Sequence, residues 1–243
     1  MTDDIIYGVN PVTEVLRGTR RVFELFLAEG ADRRLEPLAR LAGERGVPVR
    51  RRNRSDLTRL AGNDHHQGAV LRVEPYPYAT LADLLNRWRE SGEPGLILLL
   101  DGIQDPHNLG ALIRSAACAG AHGVIIPQDR AVGVTPTVEK VSAGGVGAVA
   151  VARVANISQT LDLLKKEGFW TYGAAGESSE SLYAQDFRGH TALVIGGEGD
   201  GVRPLVRKQC DLLLSIPLKG TITSLNASVA GGIMLFEVVR QRG

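Results

Sequence analysis

Three short segments of this 243-residue chain bring together residue types that can do chemistry. The first is Asp101-Gly-Ile-Gln-Asp-Pro-His-Asn-Leu-Gly110, which runs into a helix carrying Arg114. Asn108 reads as the N-cap, and Arg114 follows one to two turns later. Free N–H groups at a helix start attract an anion, and a guanidinium adds a planar clamp for phosphate. The same residues also suit a capped helix with a surface Arg. The second segment is Gly196-Gly197-Glu198-Gly199-Asp200-Gly201. Four glycines in six residues let a backbone press against a ligand, and the Glu198 carboxylate can orient a polar group. The third is Ile216-Pro-Leu218-Lys-Gly-Thr-Ile-Thr-Ser224-Leu225-Asn226-Ala-Ser228. Here an apolar strand end meets a polar loop and a helix capped near Ser224. Its hydroxyls, together with Asn226, exceed what a cap needs and can line a polar pocket.

Other chemistries find little support. Cys118 and Cys210 are far apart, without metal-ligand spacing, and read as buried thiols. The five histidines form no ligand pair, so no metal is expected. His107 can serve as a base but stands beside a proline, where a structural role is as natural. Gly145-x-Gly147-x-x-Ala150 matches the dinucleotide fingerprint in letters only, because it follows an expected helix and no helix opens from it. The Gly144–Gly147 stretch is left as a loop without a role. There is no phosphate-binding G-x-x-x-x-G-K-[S/T] loop and no G-x-S-x-G elbow.

The three segments need a scaffold that presents loops side by side. From residue 96 onward, short apolar strands alternate with helices: strands over 96–100, 124–126, 149–154, 170–173, 192–195 and 212–216, with helices over 109–119, 136–143, 158–167, 203–209 and 225–241. This is the signature of an α/β domain with a largely parallel sheet, whose ligands bind at the C-terminal strand ends. The last helix carries an apolar stripe of Leu225, Val229, Ile233, Phe236 and Val239, and Gly231-Gly232 within it implies close approach of another backbone. Residues 1–74 form a smaller α/β unit. Helices are predicted over 7–16, 34–45 and 56–61, the last capped by Ser55, with strands over 23–28, 48–52 and 69–73. Residues 75–95 read as a linker, opened by Pro75-Tyr-Pro77, plus one helix; residues 96–243 form the larger domain.

Composition bounds the remaining readings. Twenty of the 29 glycines follow residue 95, without collagen periodicity. The apolar share of 44% excludes a mostly disordered chain. The longest strongly apolar run, residues 96–100, is far short of a membrane span. Met1-Thr2-Asp3-Asp4 is acidic and lacks a leader's apolar core, so a cytoplasmic protein with no membrane partner is expected. Net charge is only +1, yet residues 45–59 hold six arginines against one acid, Asp56. Arg50, Arg51, Arg52 and Arg54 within that run suit RNA phosphates, and equally suit a solvated surface.

Taken in order, the segments closely resemble the three motifs of the SpoU (TrmH) family of the SPOUT superfamily, RNA 2′-O-ribose methyltransferases. The matching residues are Asn108-x-Gly110-x-x-x-Arg114, Gly197-Glu198-x-x-Gly201 and Ser224-Leu225-Asn226-x-Ser228. Ile6-Tyr7-Gly8, His66-Gln67-Gly68 and Asp105-Pro106-His107-Asn108 extend the likeness upstream, to members that methylate a guanosine ribose in 23S rRNA. The resemblance implies an N-terminal RNA-binding domain like ribosomal protein L30e, to which His66 and Gln67 contribute. It implies a trefoil-knotted catalytic domain, a homodimer, and S-adenosyl-L-methionine (AdoMet) as methyl donor. The cofactor would be held by Gly176, Gly196, Gly197, Ile216, Leu218, Ser224 and Leu225. Catalysis would fall to Arg114, Asn108, Glu198, Ser224 and Asn226, with Arg114 either activating the 2′-hydroxyl or clamping phosphate. Methylation of tRNA or another rRNA site, and an RNA-binding protein without catalysis, are the alternatives.

Overall fold

The computed structural model describes residues 3–18, 20–30, 32–199 and 201–243. Met1, Thr2 and Asp200, named above, lie outside the described residues. The chain divides into two compact units, one running to Pro77 with Thr135–Thr137, the other comprising Tyr78–Val134 and Val138–Gly243.

The first unit runs β1 (Asp4–Tyr7), α1 (Val9–Arg17), β2 (Val22–Ala28), α2 (Glu36–Glu44), β3 (Val49–Arg52), α3 (Arg54–Ala61) and β4 (Ala69–Val73). Its sheet has the order β1-β4-β2-β3, antiparallel except for the β2–β3 pair. Leu25, Leu27, Val70 and Leu71 from the sheet bury against Val12, Leu16, Leu38 and Leu57 from the helices. Each such side chain contributes about 1.5–3 kcal/mol of transfer free energy. β1 is absent from the sequence reading, which runs a helix from Tyr7. Gly8, at φ +93°, separates strand from helix. α3 is capped by Asn53, which accepts from the Asp56 backbone at 2.9 Å, and not by Ser55, whose hydroxyl instead donates to Asn53.

The second unit holds α4 (Leu81–Ser91), β5 (Leu96–Asp101), α5 (Pro106–Cys118), β6 (Gly123–Pro127), α6 (Pro136–Ser142) and α7 (Gly145–Ala148). It continues with β7 (Val151–Val154), α8 (Ile157–Lys166), β8 (Trp170–Ala174), β9 (Thr191–Gly196), α9 (Pro204–Gln209), β10 (Leu212–Leu214) and α10 (Ala227–Arg242). The six strands are all parallel, in the order β10-β8-β9-β5-β6-β7. β5 and β9 are buried at every residue, and their register sets Asp101 beside Gly196. The first two motif loops therefore leave the sheet as neighbours. α4, set apart in the sequence as part of a connector, is closed by a Thr80–Asp83 capping box and packs Leu84, Leu85 and Trp88 into the core of this unit.

Four expectations about this unit fail. A one-turn helix, α7, does open at Gly145. The apolar stripe of α10 does not face the core: Val229 and Phe236 are about half exposed, at 49% and 48%. The buried face is instead Gly231, Met234, Leu235 and Val238. Gly231 lies under the side chains of Leu112 and Ile195 rather than another backbone, and Gly232 has room for a Cβ. The thiols are free, but Cys118 is exposed and Cys210 only partly covered; burial pushes the Cys210 thiol up to about 12, which leaves it unreactive. Among the described residues, no helix is long and apolar enough to cross a membrane.

Candidate active site

The C-terminal ends of β8, β9 and β10 border a cleft of about 760 Å³. Its walls come from 174–177 at the end of β8, 195–199 with Gly201 and Val202 at the end of β9, Arg207 of α9, and residues between Leu214 and Ala230 around and after β10. All seven residues expected at the cofactor (Gly176, Gly196, Gly197, Ile216, Leu218, Ser224 and Leu225) line it. Glu198 and Asn226 line it too. The charged groups among its described lining residues are Glu177, Glu198 and Arg207, with Glu177 and Arg207 ion-paired to each other. That pair is missing from the sequence reading, because Glu177 and Arg207 belong to no motif and meet only through the fold.

The glycine-rich turn is shaped by backbone crowding. A Cβ on Gly196 would overlap the backbone of Gly201 and Val202, and one on Gly197 would stand 2.5 Å from the Gly102 carbonyl oxygen. The turn is then tied to β5. Gly197 N donates to Asp101 O at 3.1 Å, and Arg203 donates to the buried Asp101 carboxylate from its backbone N at 2.8 Å and its Nε at 2.7 Å. Gly176 differs, since a Cβ there would make an ordinary 3.7 Å contact with Thr223 O.

The three motifs meet through one chain of side-chain hydrogen bonds. Asn108 is not the cap of α5; that is Asp105, which accepts from His107 N at 2.9 Å. Asn108 sits in the first turn, 5% exposed, and its Nδ2 donates to Glu198 Oε1. Its Oδ1 accepts from Asn226 Nδ2 at 3.0 Å. Asn226, and not Ser224, caps α10, its Oδ1 accepting from Ser228 N at 2.9 Å and Val229 N at 3.3 Å. The direction of the chain is fixed at both ends. Glu198 can only accept as a carboxylate, and the first N–H groups of α10 can only donate.

Arg114 stands apart from this cluster. It is exposed on α5, has no side-chain partner among the described residues, and does not line the cleft. Gly110, in the same motif, faces α6 rather than a ligand: a Cβ would stand 2.7 Å from Val141 Cβ.

In the first unit, Arg50, Arg51, Arg52 and Arg54 are all exposed. Arg50 pairs with Glu24 and Arg51 with Glu36, while Arg52 and Arg54 have no ion pair among the described residues. His66 is 2% exposed, so its ring is withdrawn from a nucleic acid. Its Nδ1 accepts from Gly68 N at 3.0 Å, its Nε2 lies 3.2 Å from Thr58 Oγ1, and burial, then Arg54, holds its pKa below the usual 6.5. Gln67 accepts from Val9 N at 3.1 Å and so satisfies a first-turn donor of α1. These two residues build the turn.

A parallel sheet with a small-molecule cleft at its strand ends, and an amide–carboxylate relay at the rim, is the architecture of an α/β enzyme. This chain belongs to the SpoU rRNA Methylase family, whose pattern matches residues 95–236. A second pattern, RNA 2′-O ribose methyltransferase substrate binding, matches residues 5–79. The chain is 43% identical over 244 residues to the 23S rRNA (guanosine-2′-O-)-methyltransferase RlmB of Escherichia coli K12, covering 98% of this chain and 99% of that protein. It is 44% identical over 239 residues to the protein of that name from Xylella fastidiosa, with 98% and 96% covered. Among solved structures it resembles the SpoU methyltransferase AviRb of Streptomyces viridochromogenes in complex with AdoMet, with a TM-score of 0.64 and 27% identity, covering 99% of this chain and 90% of that one.

Proposed function

We propose that this protein methylates the ribose 2′-oxygen of a guanosine in 23S rRNA, with AdoMet as donor. The observation that carries the reading is the hydrogen-bonded chain from Asn226 through Asn108 to Glu198 at the rim of the cleft. It joins three motifs that are 90 and 118 residues apart in sequence. The full-length relatives named as 23S rRNA guanosine methyltransferases support the substrate. The residues present fit the donor. The cleft is within the usual range for small ligands. Ile195, Leu214, Ile216 and Leu218 offer apolar walls for a flat base. Two carboxylates against one guanidinium suit a cationic sulfonium.

When bound, AdoMet supplies an electrophilic methyl group; the protein's share is orientation and charge. Gly176, Gly196, Gly197, Ile216, Leu218, Ser224 and Leu225 hold the donor. Asn108 and Asn226 keep the Glu198 carboxylate aimed at the rim, where it accepts from the substrate ribose. Arg114 clamps the neighbouring phosphate and stabilises oxyanion charge on the 2′-oxygen as its proton passes to solvent water. A guanidinium does not deprotonate readily enough to act as the base. Arg50, Arg51, Arg52 and Arg54 in the N-terminal unit hold RNA.

Because Arg114 lies off the cleft, a second copy completes the site. The neighbouring helices α5 and α10 leave Arg114, Val229 and Phe236 open to solvent, and a homodimer through this face buries the apolar pair beside the guanidinium. The path from β10, across the ends of β8 and β9, to α10 on α5 suits a trefoil knot. The mixed β1-β4-β2-β3 sheet suits an L30e-like unit. Residues 1–74 form the RNA-binding domain, residues 75–77 connect, residues 78–243 carry catalysis, with α4 packed into the catalytic unit's core, and the enzyme works in the cytoplasm.

The test offers tritiated AdoMet with 23S rRNA and with tRNA, then maps the labelled nucleotide. Label on a guanosine 2′-oxygen of 23S rRNA is expected, and label on tRNA alone would overturn the substrate. Arg114→Lys keeps AdoMet affinity and loses most turnover; near-normal turnover would remove Arg114 from the mechanism.

A further inference from the structure

We propose that Gly145 is a positioning residue for Arg114: its missing side chain lets α7 seat α5 at the height the guanidinium needs. This rests on the catalytic reading of Arg114 given above. Ala143 (φ +48°) and Gly144 (φ +93°) are two consecutive residues in left-handed conformation. An alanine there is strained, and left-handed backbone costs an L-residue about 1–2 kcal/mol. The turn sends the chain back from α6, so that the single turn of α7 lies against α5. Gly145 is buried at that crossing. A Cβ on it would stand 3.0 Å from Arg114 Cα, 3.2 Å from Arg114 N and 3.4 Å from Ile113 C. These are backbone atoms, which cannot swing aside as a side chain does.

The contact falls on Arg114, whose side chain has no partner to fix it among the described residues. Asn108, Glu198 and Asn226 hold one another. The Arg114 side chain has no partner among the described residues, so the placement of its backbone determines where the guanidinium starts. α6 holds the same helix one turn earlier, through Gly110 against Val141 and the Val138 carbonyl. Gly147, two residues after Gly145, faces open space and supplies the internal control. No residue of α5 or α7 lines the cleft, and α5 meets its rim through Asn108, six residues before Arg114, so a displacement confined to the Ile113–Arg114 turn leaves the donor's walls in place.

The experiment compares Gly145→Ala, Gly147→Ala, Arg114→Ala and the Gly145→Ala/Arg114→Ala pair in the full chain. Readouts are AdoMet affinity by calorimetry, kcat and KM with a 23S rRNA transcript, melting temperature, and the Arg114 Nε–H resonance. A misplacement of 1 Å costs about 100-fold in rate, so a few tenths of an ångström cost roughly 3- to 10-fold. Gly145→Ala is expected to lower kcat by that factor, to leave AdoMet affinity and KM within about twofold, and to move the Arg114 resonance. Gly147→Ala is expected to match the parent. In the Arg114→Ala background, Gly145→Ala causes no further loss, because the two act as one unit. Multiplying losses in the pair, an equal loss in Gly147→Ala, a fall in AdoMet affinity, or failure of Gly145→Ala to fold would each overturn the proposal. Full turnover by Arg114→Ala is a different failure: it removes the catalytic reading, and the Arg114 resonance still decides whether Gly145 sets its position.

Discussion

Replacing Asn226 separates its two jobs. Asn226→Ala removes the α10 cap, which costs about 0.5–2 kcal/mol. It also strands Asn108 Oδ1, whose partner is Asn226 Nδ2 at 3.0 Å in a site where Asn108 is 5% exposed. A buried acceptor left unpaired costs about 1–3 kcal/mol, so the variant loses about 1.5–5 kcal/mol in all. Asn226→Asp is different. The carboxylate still accepts from Ser228 N and Val229 N, and a negative charge at a helix start returns about 0.3–1 kcal/mol. The Nδ2 donor is gone, however, and a flipped Asn108 amide would turn its carbonyl toward the Glu198 carboxylate. One acceptor is orphaned either way, for a net loss of about 0–2.7 kcal/mol. The assay is urea unfolding followed by tryptophan fluorescence, since both tryptophans, Trp88 and Trp170, lie in the unit that holds the site. Turnover is measured alongside. The expected pattern is a large stability loss for Ala, a small one for Asp, and lost turnover in both. An Asp variant with parental turnover would refute the directed relay, and an Ala variant within about 0.5 kcal/mol of the parent would refute the capping ledger.

Gly196→Ala forces a Cβ into the Gly201–Val202 backbone and abolishes AdoMet binding by calorimetry, whereas Gly199→Ala, with open space but φ +88°, costs only about 1 kcal/mol of stability. The Arg240 guanidinium, opposed by burial and helped by Gln241, holds Glu237 down at about 2. A depressed carboxylate stabilises above its unfolded pKa of about 4.3 and loses that contribution as pH falls toward 2. Melting temperature should therefore drop through that window in the parent and drop less in Glu237→Gln, which starts lower at neutral pH; parallel curves would refute it. Arg52→Ala with Arg54→Ala, the two unpaired arginines, weakens RNA binding and reduces the salt slope by about 2, whereas Arg50→Ala, already neutralised by Glu24, does less. Unchanged RNA affinity in both variants would return the patch to plain solvated surface.

The alternation of strands and helices after residue 95 was plain in the sequence because a parallel sheet buries whole strands, and whole strands read as apolar runs. β1 was not, because Asp4–Tyr7 is four residues long and half-exposed, and its apolar pattern runs on into α1 through Gly8. The caps were misplaced for one reason. Asn108, Ser55 and Ser224 have cap chemistry, but each has a better-placed neighbour, Asp105, Asn53 or Asn226. Local propensity names the candidates, and the path of the chain chooses among them. His66 and Gln67 carried a family likeness that said nothing of burial: the fold buries His66 in a turn and leaves Gln67 exposed beside it. Gly196, Gly197, Glu198 and the residues from Ile216 to Asn226 were legible because they sit in segments at strand ends, whereas Gly176 came from the family likeness alone. The Glu177–Arg207 pair and the Asp101–Arg203 clamp were not, since each joins residues brought together only by sheet order.

The stripe on α10 shows how a correct pattern can be assigned to the wrong surface. A helix apolar on one side has one partner; α10 is apolar on two. Its inner side, with Met234, Leu235 and Val238 buried, packs on α5 and β9. The outer side, with Val229 and Phe236, is about half exposed, and α5, on which α10 packs, carries the exposed Arg114. Large apolar side chains beside an unpaired guanidinium suit an interface core with a charged rim. A second copy of the chain would satisfy the apolar side and hold Arg114 in a partly desolvated setting, where its charge acts more strongly on a phosphate. Phe236→Glu should then yield a monomer in light scattering that still binds AdoMet in its own cleft but turns over no RNA. A monomer with parental turnover would mean that one copy suffices.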